Sequence, residues 1–84
     1  MTNKEILRKQ IIYRSMHRGS KEMDLLLGNF VKKNIDKLNN NELEDLEKLL
    51  FIEDEIIYKW YFEKNSDNAI PNTKVSMMLK NFKL

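Results

Sequence analysis

Cysteine is absent from this 84-residue chain, and histidine occurs once, at position 17. Disulfide bonds and thiolate chemistry are therefore excluded, and a zinc site, which needs several Cys or His ligands, is not expected. One proline and two glycines leave little to interrupt helices. The longest apolar run, residues 49–52, is far too short to cross a bilayer, so we expect no membrane insertion.

Catalytic sequence motifs are missing as well. The chain has no glycine-rich phosphate loop, no H-E-x-x-H and no G-x-S-x-G sequence. Pairs of acids such as Glu42 and Asp45 fall in the first turns of predicted helices, where acids are ordinary. The sequence therefore favours a protein that is not an enzyme.

The N-terminal residues 1–5 contain no apolar stretch and carry an early acid. Neither a secretory signal nor a transit peptide fits this composition. The polar residues are mainly lysine and asparagine, which is typical of an AT-rich genome. We therefore expect a bacterial protein of the cytoplasm.

The net charge of +2 conceals two segments of opposite sign. Residues 1–21 hold six cations and one acid, whereas residues 42–55 hold seven acids and one lysine. Two oppositely charged surfaces favour oriented docking onto a protein partner, because a nucleic-acid binder usually has a denser basic stripe with stacking aromatics. The alternative is that both segments are only solvated helix faces.

The spacing of apolar residues predicts five helices and no strand. A capping box of Thr2 and Glu5 should start the first helix, which runs to about Arg18. Gly19 is expected to end this helix in the left-handed conformation, and Ser20 to cap the second. The positions expected to face the core are, helix by helix, Leu7, Ile11 and Ile12; Met23, Leu26, Leu27, Phe30, Val31, Ile35 and Leu38; Leu43, Leu46, Leu49 and Leu50; Ile56, Ile57, Trp60 and Tyr61; Val75, Met78, Leu79 and Phe82.

The later helix starts are also marked in the sequence. The asparagines at 39–41 should end the second helix, and Asn41 with Glu44 should form a capping box for the third. Glu53 and Asp54 can cap the fourth helix, and residues 65–71 form a loop before the fifth. Together these signals predict an all-α fold, a small five-helix bundle.

Two single residues add to this picture. Gly28 lies inside the second helix at a cost of about 1 kcal/mol relative to alanine, which indicates the close approach of a neighbour from inside or outside the domain. Trp60 lies on an apolar face and is expected in the core rather than at a contact. We predict one helical domain, residues 1–84, that is monomeric when free.

The junction of the first two helices differs from the rest of the chain. Arg14 and Arg18 lie one helical turn apart on one face, and the chain then turns at Gly19 and presents Glu22. Arginine is rare in this lysine-rich chain, and lysine lacks its planar fork of donors. An arginine, a turn and a glutamate at an exposed junction fit partner binding. The alternative is that Arg18 and Glu22 pair with each other and only brace the corner.

The run R-G-S-K-E at residues 18–22 resembles the R-G-x-x-E signature of the SdhE-type FAD assembly factors, the succinate dehydrogenase assembly factors of bacteria and mitochondria. The likeness continues through residues 23–30, and Asp54 and Trp60 resemble an Asp and a Trp of the family near its fourth helix. It covers about residues 8–82, although the C-terminal part matches only loosely.

The resemblance implies a protein that binds the flavoprotein subunit of succinate dehydrogenase and promotes covalent attachment of FAD to a histidine of that subunit. It would not hold FAD stably itself. Whether it also acts on fumarate reductase stays open. In this interpretation Arg18 pairs with a partner carboxylate or with backbone carbonyls, and Gly19 lets the partner approach closely. The residues carried over as the partner-binding surface are Arg18, Gly19 and Glu22, with Arg14, Asp24 and His17 as neighbours.

Two other functions stay open. Relatives have also been described as antitoxin-like partners of membrane toxins, which suggests a regulatory protein-binding module. A small nucleic-acid binder is favoured only by the cations at residues 8–18. This third interpretation lacks a recognition helix, and the carboxylates of Glu22 and Asp24 would oppose phosphate.

Overall fold

The structure is a computed structural model, and it describes residues 3–65 and 69–84. Over these residues the predicted all-α fold of five helices is confirmed, and no strand is present. The elements are α1 (Asn3–Met16), α2 (Lys21–Asn34), a short 3₁₀ helix (Ile35–Lys37), α3 (Asn40–Leu50), α4 (Asp54–Phe62) and α5 (Lys74–Asn81). Thr2, expected in the first capping box, and residues 66–68 of the expected loop lie outside the described residues.

One apolar cluster holds the five helices together. All the apolar positions predicted for α2, its 3₁₀ extension and α3 are buried, as the helical spacing indicated. The buried residues of the cluster are Ile11, Met23, Leu26, Leu27, Phe30, Val31, Ile35, Leu38, Leu43, Leu46, Leu49, Leu50, Ile57, Trp60, Ile70, Val75 and Leu79. Trp60 is 7% exposed, which confirms its predicted place in the core.

The expected inward position of Ile12 is wrong. Ile12 is 40% exposed, whereas Ile11 and Ser15 are fully buried. Ile11 and Ser15 are four positions apart and so share the face of α1 that meets the core. Ile12, one position after Ile11, therefore lies beside this face and stays partly exposed. The remaining predicted positions, among them Leu7, Met78 and Phe82, are half-buried and pack against the core cluster.

The end of α1 also differs from the prediction. The helix ends at Met16 rather than near Arg18, and no described glycine has a positive φ, so Gly19 does not act as a left-handed cap. Ser20 caps α2 as expected, since its Oγ accepts a hydrogen bond from the Met23 N–H at 3.3 Å. Glycine at position 19 therefore needs another explanation, which the contacts at the corner supply.

The second capping box lies two residues before the predicted pair of Asn41 and Glu44. Asn39 Oδ1 accepts from the Glu42 N–H at 2.8 Å, and Glu42 Oε1 accepts from the Asn39 N–H at 3.0 Å. The chain becomes extended at Leu38, directly after the 3₁₀ helix, so Asn39 is the first asparagine that can cap α3. The predicted pair, Asn41 and Glu44, and the observed pair, Asn39 and Glu42, have the same residue types. The extended backbone at Leu38, whose side chain is buried, places Asn39 at the N-cap of α3.

Basic and acidic segments lie on neighbouring helices. The basic helix α1 packs against both α2 and the acidic helix α3. One ion pair links α1 to the 3₁₀ helix, with Arg8 Nη1 at 3.7 Å from Asp36 Oδ1. Among the described residues, no helix is both long enough and apolar enough to cross a membrane.

Candidate functional site at the α1–α2 corner

Arg18 lies between α1 and α2, and its side chain points inward with only 9% of its surface exposed. Its guanidinium binds Asp54 at the start of α4, with Nε at 2.7 Å and Nη2 at 2.5 Å from the same oxygen, Oδ1. Nη1 donates to the carbonyl of Leu50, the last residue of α3, at 2.6 Å, and Nη2 also donates to the carbonyl of Ile52, in the connection to α4, at 3.1 Å. Arg18 thus joins the corner to α3 and α4.

The physical reason for this arrangement is the end of α3. The last carbonyls of a helix have no partner within the helix, and they attract cations. The planar fork of arginine can reach the helix-end carbonyl of Leu50, the nearby carbonyl of Ile52 and one carboxylate at the same time, which a lysine cannot do. Because the guanidinium is almost fully buried, its charge requires the Asp54 carboxylate next to it.

The second oxygen of Asp54 holds the backbone of the corner. The Gly19 N–H donates to Asp54 Oδ2 at 2.7 Å. A Cβ added to Gly19 would lie 3.1 Å from that oxygen, so a side chain here would push the carboxylate away. On the other side, the Arg18 N–H donates to Asp24 Oδ1 at 2.7 Å. Glycine here lets a carboxylate of the same chain approach the backbone closely.

These contacts revise two expectations about the corner. Arg18 is a buried residue, not a side chain at an exposed junction, and its carboxylate and carbonyl partners belong to its own chain. The alternative, in which Arg18 pairs with Glu22 to brace the corner, is wrong, because Arg18 pairs with Asp54 instead. A contact of Arg18 with another protein stays a prediction.

Glu22 of the signature is exposed. It has no hydrogen bond or ion pair within the described part of the chain. It lies at a groove of about 470 Å³ between the start of α2 and the exposed side of α4. Gly19, Tyr58 and Lys59 also line this groove, and the Lys59 ammonium is 3.1 Å from Glu55.

The two predicted neighbours on α1 lie at another part of the surface. The Arg14 guanidinium lies over the exposed ring of Phe51, 4.1 Å from its centroid. The His17 ring stacks on Tyr13 with a centroid distance of 4.0 Å, and its Nδ1 lies 2.8 Å from the Tyr13 carbonyl oxygen. Arg14 and Tyr13 line a different depression from that of Glu22. The structure thus separates the six predicted site residues into a corner and a flank.

Residues 9–83 match the family model of Sdh5, described as "Flavinator of succinate dehydrogenase". The match covers nearly the whole chain, including the corner. The chain belongs to this family. The resemblance drawn from R-G-x-x-E is thereby confirmed.

Named relatives agree with this assignment. A "Succinate dehydrogenase assembly factor 2, mitochondrial" of Dictyostelium discoideum is 45% identical over 60 residues, which are 71% of this chain and 43% of that protein. The "FAD assembly factor SdhE" of Acetobacter pasteurianus is 34% identical over 73 residues, 87% of this chain and 64% of that protein. A mitochondrial assembly factor 2 of Arabidopsis thaliana is 36% identical over 62 residues, 74% of this chain and 33% of that protein. The chain thus spans between one third and two thirds of the length of these relatives.

The flavinator family signature does not by itself reveal the residue that completes the corner. Sequence reasoning singled out Asp54 only as a helix cap and as part of the family likeness. In the structure the α4 N-cap, Glu53, makes no side-chain cap, and Asp54 is turned toward Arg18 and Gly19 instead. A contact across 36 residues leaves no periodic trace in a single sequence. Once the structure shows that the Arg18 side chain is buried, a carboxylate beside it is expected, because a buried guanidinium requires one.

Proposed function

We propose that this chain binds the flavoprotein subunit of succinate dehydrogenase and promotes covalent attachment of FAD to that subunit. Membership of the flavinator family and the names of its relatives support the proposal. The structural observation that carries the site is an exposed Glu22 beside a corner that the chain holds with its own ion pair.

The corner residues have different tasks in this proposal. Arg18 and Asp54 fix the backbone from α1 to α2, so their first task is to position the docking surface. Glu22 is free to accept hydrogen bonds from the flavoprotein, from an arginine fork or from backbone N–H groups. The groove beside Glu22 receives the partner surface, with Tyr58 as its aromatic wall.

The factor acts by geometry and supplies no catalytic group. The flavin and a histidine of the flavoprotein subunit provide the reacting atoms. By holding the subunit in one conformation, the factor keeps this histidine close to the flavin, and such positioning can remove several kcal/mol from a barrier. In this proposal the chain is not an enzyme, acts as a monomer in the bacterial cytoplasm and leaves the FAD with its partner.

The test is complementation in bacteria that lack their own factor. Covalent flavin is read as in-gel fluorescence per flavoprotein subunit, and binding as co-purification of that subunit. We expect wild-type chain to restore flavin, Glu22→Gln to restore much less, and the melting temperature of the variant to stay near wild type, because an exposed surface change costs at most about 0.5 kcal/mol.

Glu44→Gln is the matched control, since Glu44 is also an exposed glutamate, on α3 and away from the corner. It should restore flavin fully. Wild-type chain that neither co-purifies with the flavoprotein nor restores flavin would disprove the proposed function. Equal flavin with wild type and Glu22→Gln would remove Glu22 from the contact surface.

A further inference from the structure

A second groove lies next to the corner, on the surface of α1 and α2. It is an open groove of about 540 Å³ between α1 and α2. Its lining is mainly apolar and includes Ile12, Met16, Leu25, Gly28, Val31 and Ile35. Three of these side chains keep large exposed fractions, with Ile12 at 40%, Met16 at 59% and Leu25 at 48%. Apolar surface of this kind next to a helix groove is typical of a protein-binding site.

Gly28 in this groove is not explained by the packing of the chain itself. Glycine is among the least favourable residues inside a helix, so its presence in the middle of α2 weakens that helix. A Cβ added here would lie 3.8 Å from the Ser15 carbonyl oxygen, which is ordinary van der Waals contact. Since α1 leaves room for an alanine, contacts within the described chain do not require a glycine at this position.

The groove is continuous with the corner. Leu25 follows Glu22 by three residues, so both lie on the same exposed side of α2, one turn apart. Asp24, which holds the Arg18 N–H, also lines the groove. At the other end lies Lys32, which forms no ion pair within residues 3–65 and 69–84.

We propose that an amphipathic helix of the flavoprotein subunit occupies the α1–α2 groove, a proposal that rests on the proposed function. From Leu25 to Ile35 the groove is about 15 Å long, which suits about three helical turns. The helix would pack its apolar side on Leu25 and Met16, approach closest at Gly28, and place an acid near Lys32. A helix laid in a groove between two helices is a recurrent way of binding a protein segment.

The first test uses two substitutions of Gly28. Gly28→Ala should raise the melting temperature by roughly 4–8 °C, because alanine favours the helix. The same change should weaken co-purification with the flavoprotein roughly tenfold, since the added methyl blocks the closest approach. Gly28→Leu should weaken it further. Opposite signs for stability and binding cannot come from a purely structural role, and unchanged binding by both variants would overturn the inference.

The second test compares two leucine-sized side chains with the same exposure. Leu25 is 48% exposed in the groove, and Met77 is 49% exposed on α5, outside it. Leu25→Ala should weaken binding about tenfold, as expected for an anchor at an interface, and Met77→Ala should leave it unchanged. Equal binding by the two variants would contradict the proposal.

A photo-crosslinking residue at Asn29, which lines the groove, identifies the occupant. Crosslinks to a helical peptide of the flavoprotein support the proposal. Crosslinks to a second copy of this chain, or to FAD alone, overturn it. If wild type binds the flavoprotein and Glu22→Gln impairs binding while the Gly28 and Leu25 variants bind normally, only this inference fails. If wild type does not bind at all, the proposed function fails with it.

Discussion

The two junctions that flank α2 are held in different ways. Before α2, the corner depends on Arg18 and Asp54, which are 36 positions apart in the chain. After α2, the chain passes through a 3₁₀ helix into a capping box in which Asn39 and Glu42 are three positions apart. The first junction is a long-range polar network with a buried charge, and the second is a local exchange of hydrogen bonds at the surface.

This difference shows how distance along the chain affects both stability and function. A local capping box forms with its helix and stabilises chiefly that helix, and here Glu42 Oε2 adds one surface ion pair, 3.1 Å from the Lys74 ammonium at the start of α5. The corner network also connects α1, α3 and α4, so its loss should be felt across the fold. The candidate docking surface lies at the network and not at the capping box.

Removing Asp54 should have the largest effect. Asp54→Ala leaves the buried guanidinium of Arg18 and the Gly19 N–H without their carboxylate, which should cost about 3 kcal/mol of unfolding free energy. Urea denaturation measures this loss, and flavin incorporation should fall with it. Glu44→Ala, an exposed acid on α3, is the control and should stay near wild type. A small loss for Asp54→Ala would mean that water replaces the carboxylate.

Arg18→Lys keeps the charge but loses the planar fork. A lysine cannot reach Asp54 and the carbonyls of Leu50 and Ile52 together, so we expect a loss of about 1.5–3 kcal/mol. Arg14→Lys is the matched control, because Arg14 makes an exposed contact with Phe51 worth at most about 1 kcal/mol. Both are read from urea midpoints. Equal losses for the two arginines would contradict the network.

At the other junction, Asn39→Ala should cost about 1 kcal/mol, the usual value for losing an N-cap. The melting temperature measures this loss. The change removes the acceptor of the Glu42 N–H but leaves the corner intact, so flavin incorporation should remain at the wild-type level. Reduced flavin at unchanged protein level would show that the two junctions are coupled.

The smallest expected effect is the pH dependence of the same capping box. Hydrogen bonds from the Asn39 backbone, and then from Lys74, lower the pKa of Glu42 below its ordinary value of 4.5. A lowered pKa means that the carboxylate stabilises the fold above the ordinary pKa, and that this stability is lost as the pH falls through the folded-state pKa. The gap in melting temperature between wild type and Glu42→Gln should therefore close as the pH falls below 4.5 and through the lowered pKa of Glu42. A gap that widens on acidification would mean that the pKa of Glu42 is raised, not lowered, in the folded protein.

The sequence predicts those parts of the fold that depend on the spacing of residues within one helix. The apolar positions of α2 and α3 follow the helical repeat, and every one of them is buried. Ile12 was misplaced because two adjacent isoleucines fit the repeat equally well, and only packing against α2 and α3 selects Ile11. The capping box was misplaced because residues 39–41 are three identical asparagines, followed by glutamates at two suitable positions.

The candidate site was only partly predictable. The signature located Arg18, Gly19 and Glu22, but the residue types did not show that Arg18 faces inward. The role of Asp54 depends on where α4 begins relative to the corner, which is a property of tertiary structure. The sequence singles out Gly28 by its helix cost alone, and the distance to Ser15 was needed to show that packing within the chain does not require a glycine there.

The long separation within the corner network also affects the order of folding. Contacts between residues 35 and 36 positions apart close large loops, so we expect them to form late, after α3 and α4 have packed. A chain still emerging from the ribosome up to α3 has Arg18 and Gly19 but lacks Asp54. Such an incomplete chain cannot present the finished corner, and recognition by the flavoprotein would thus act as a check that the factor has folded completely.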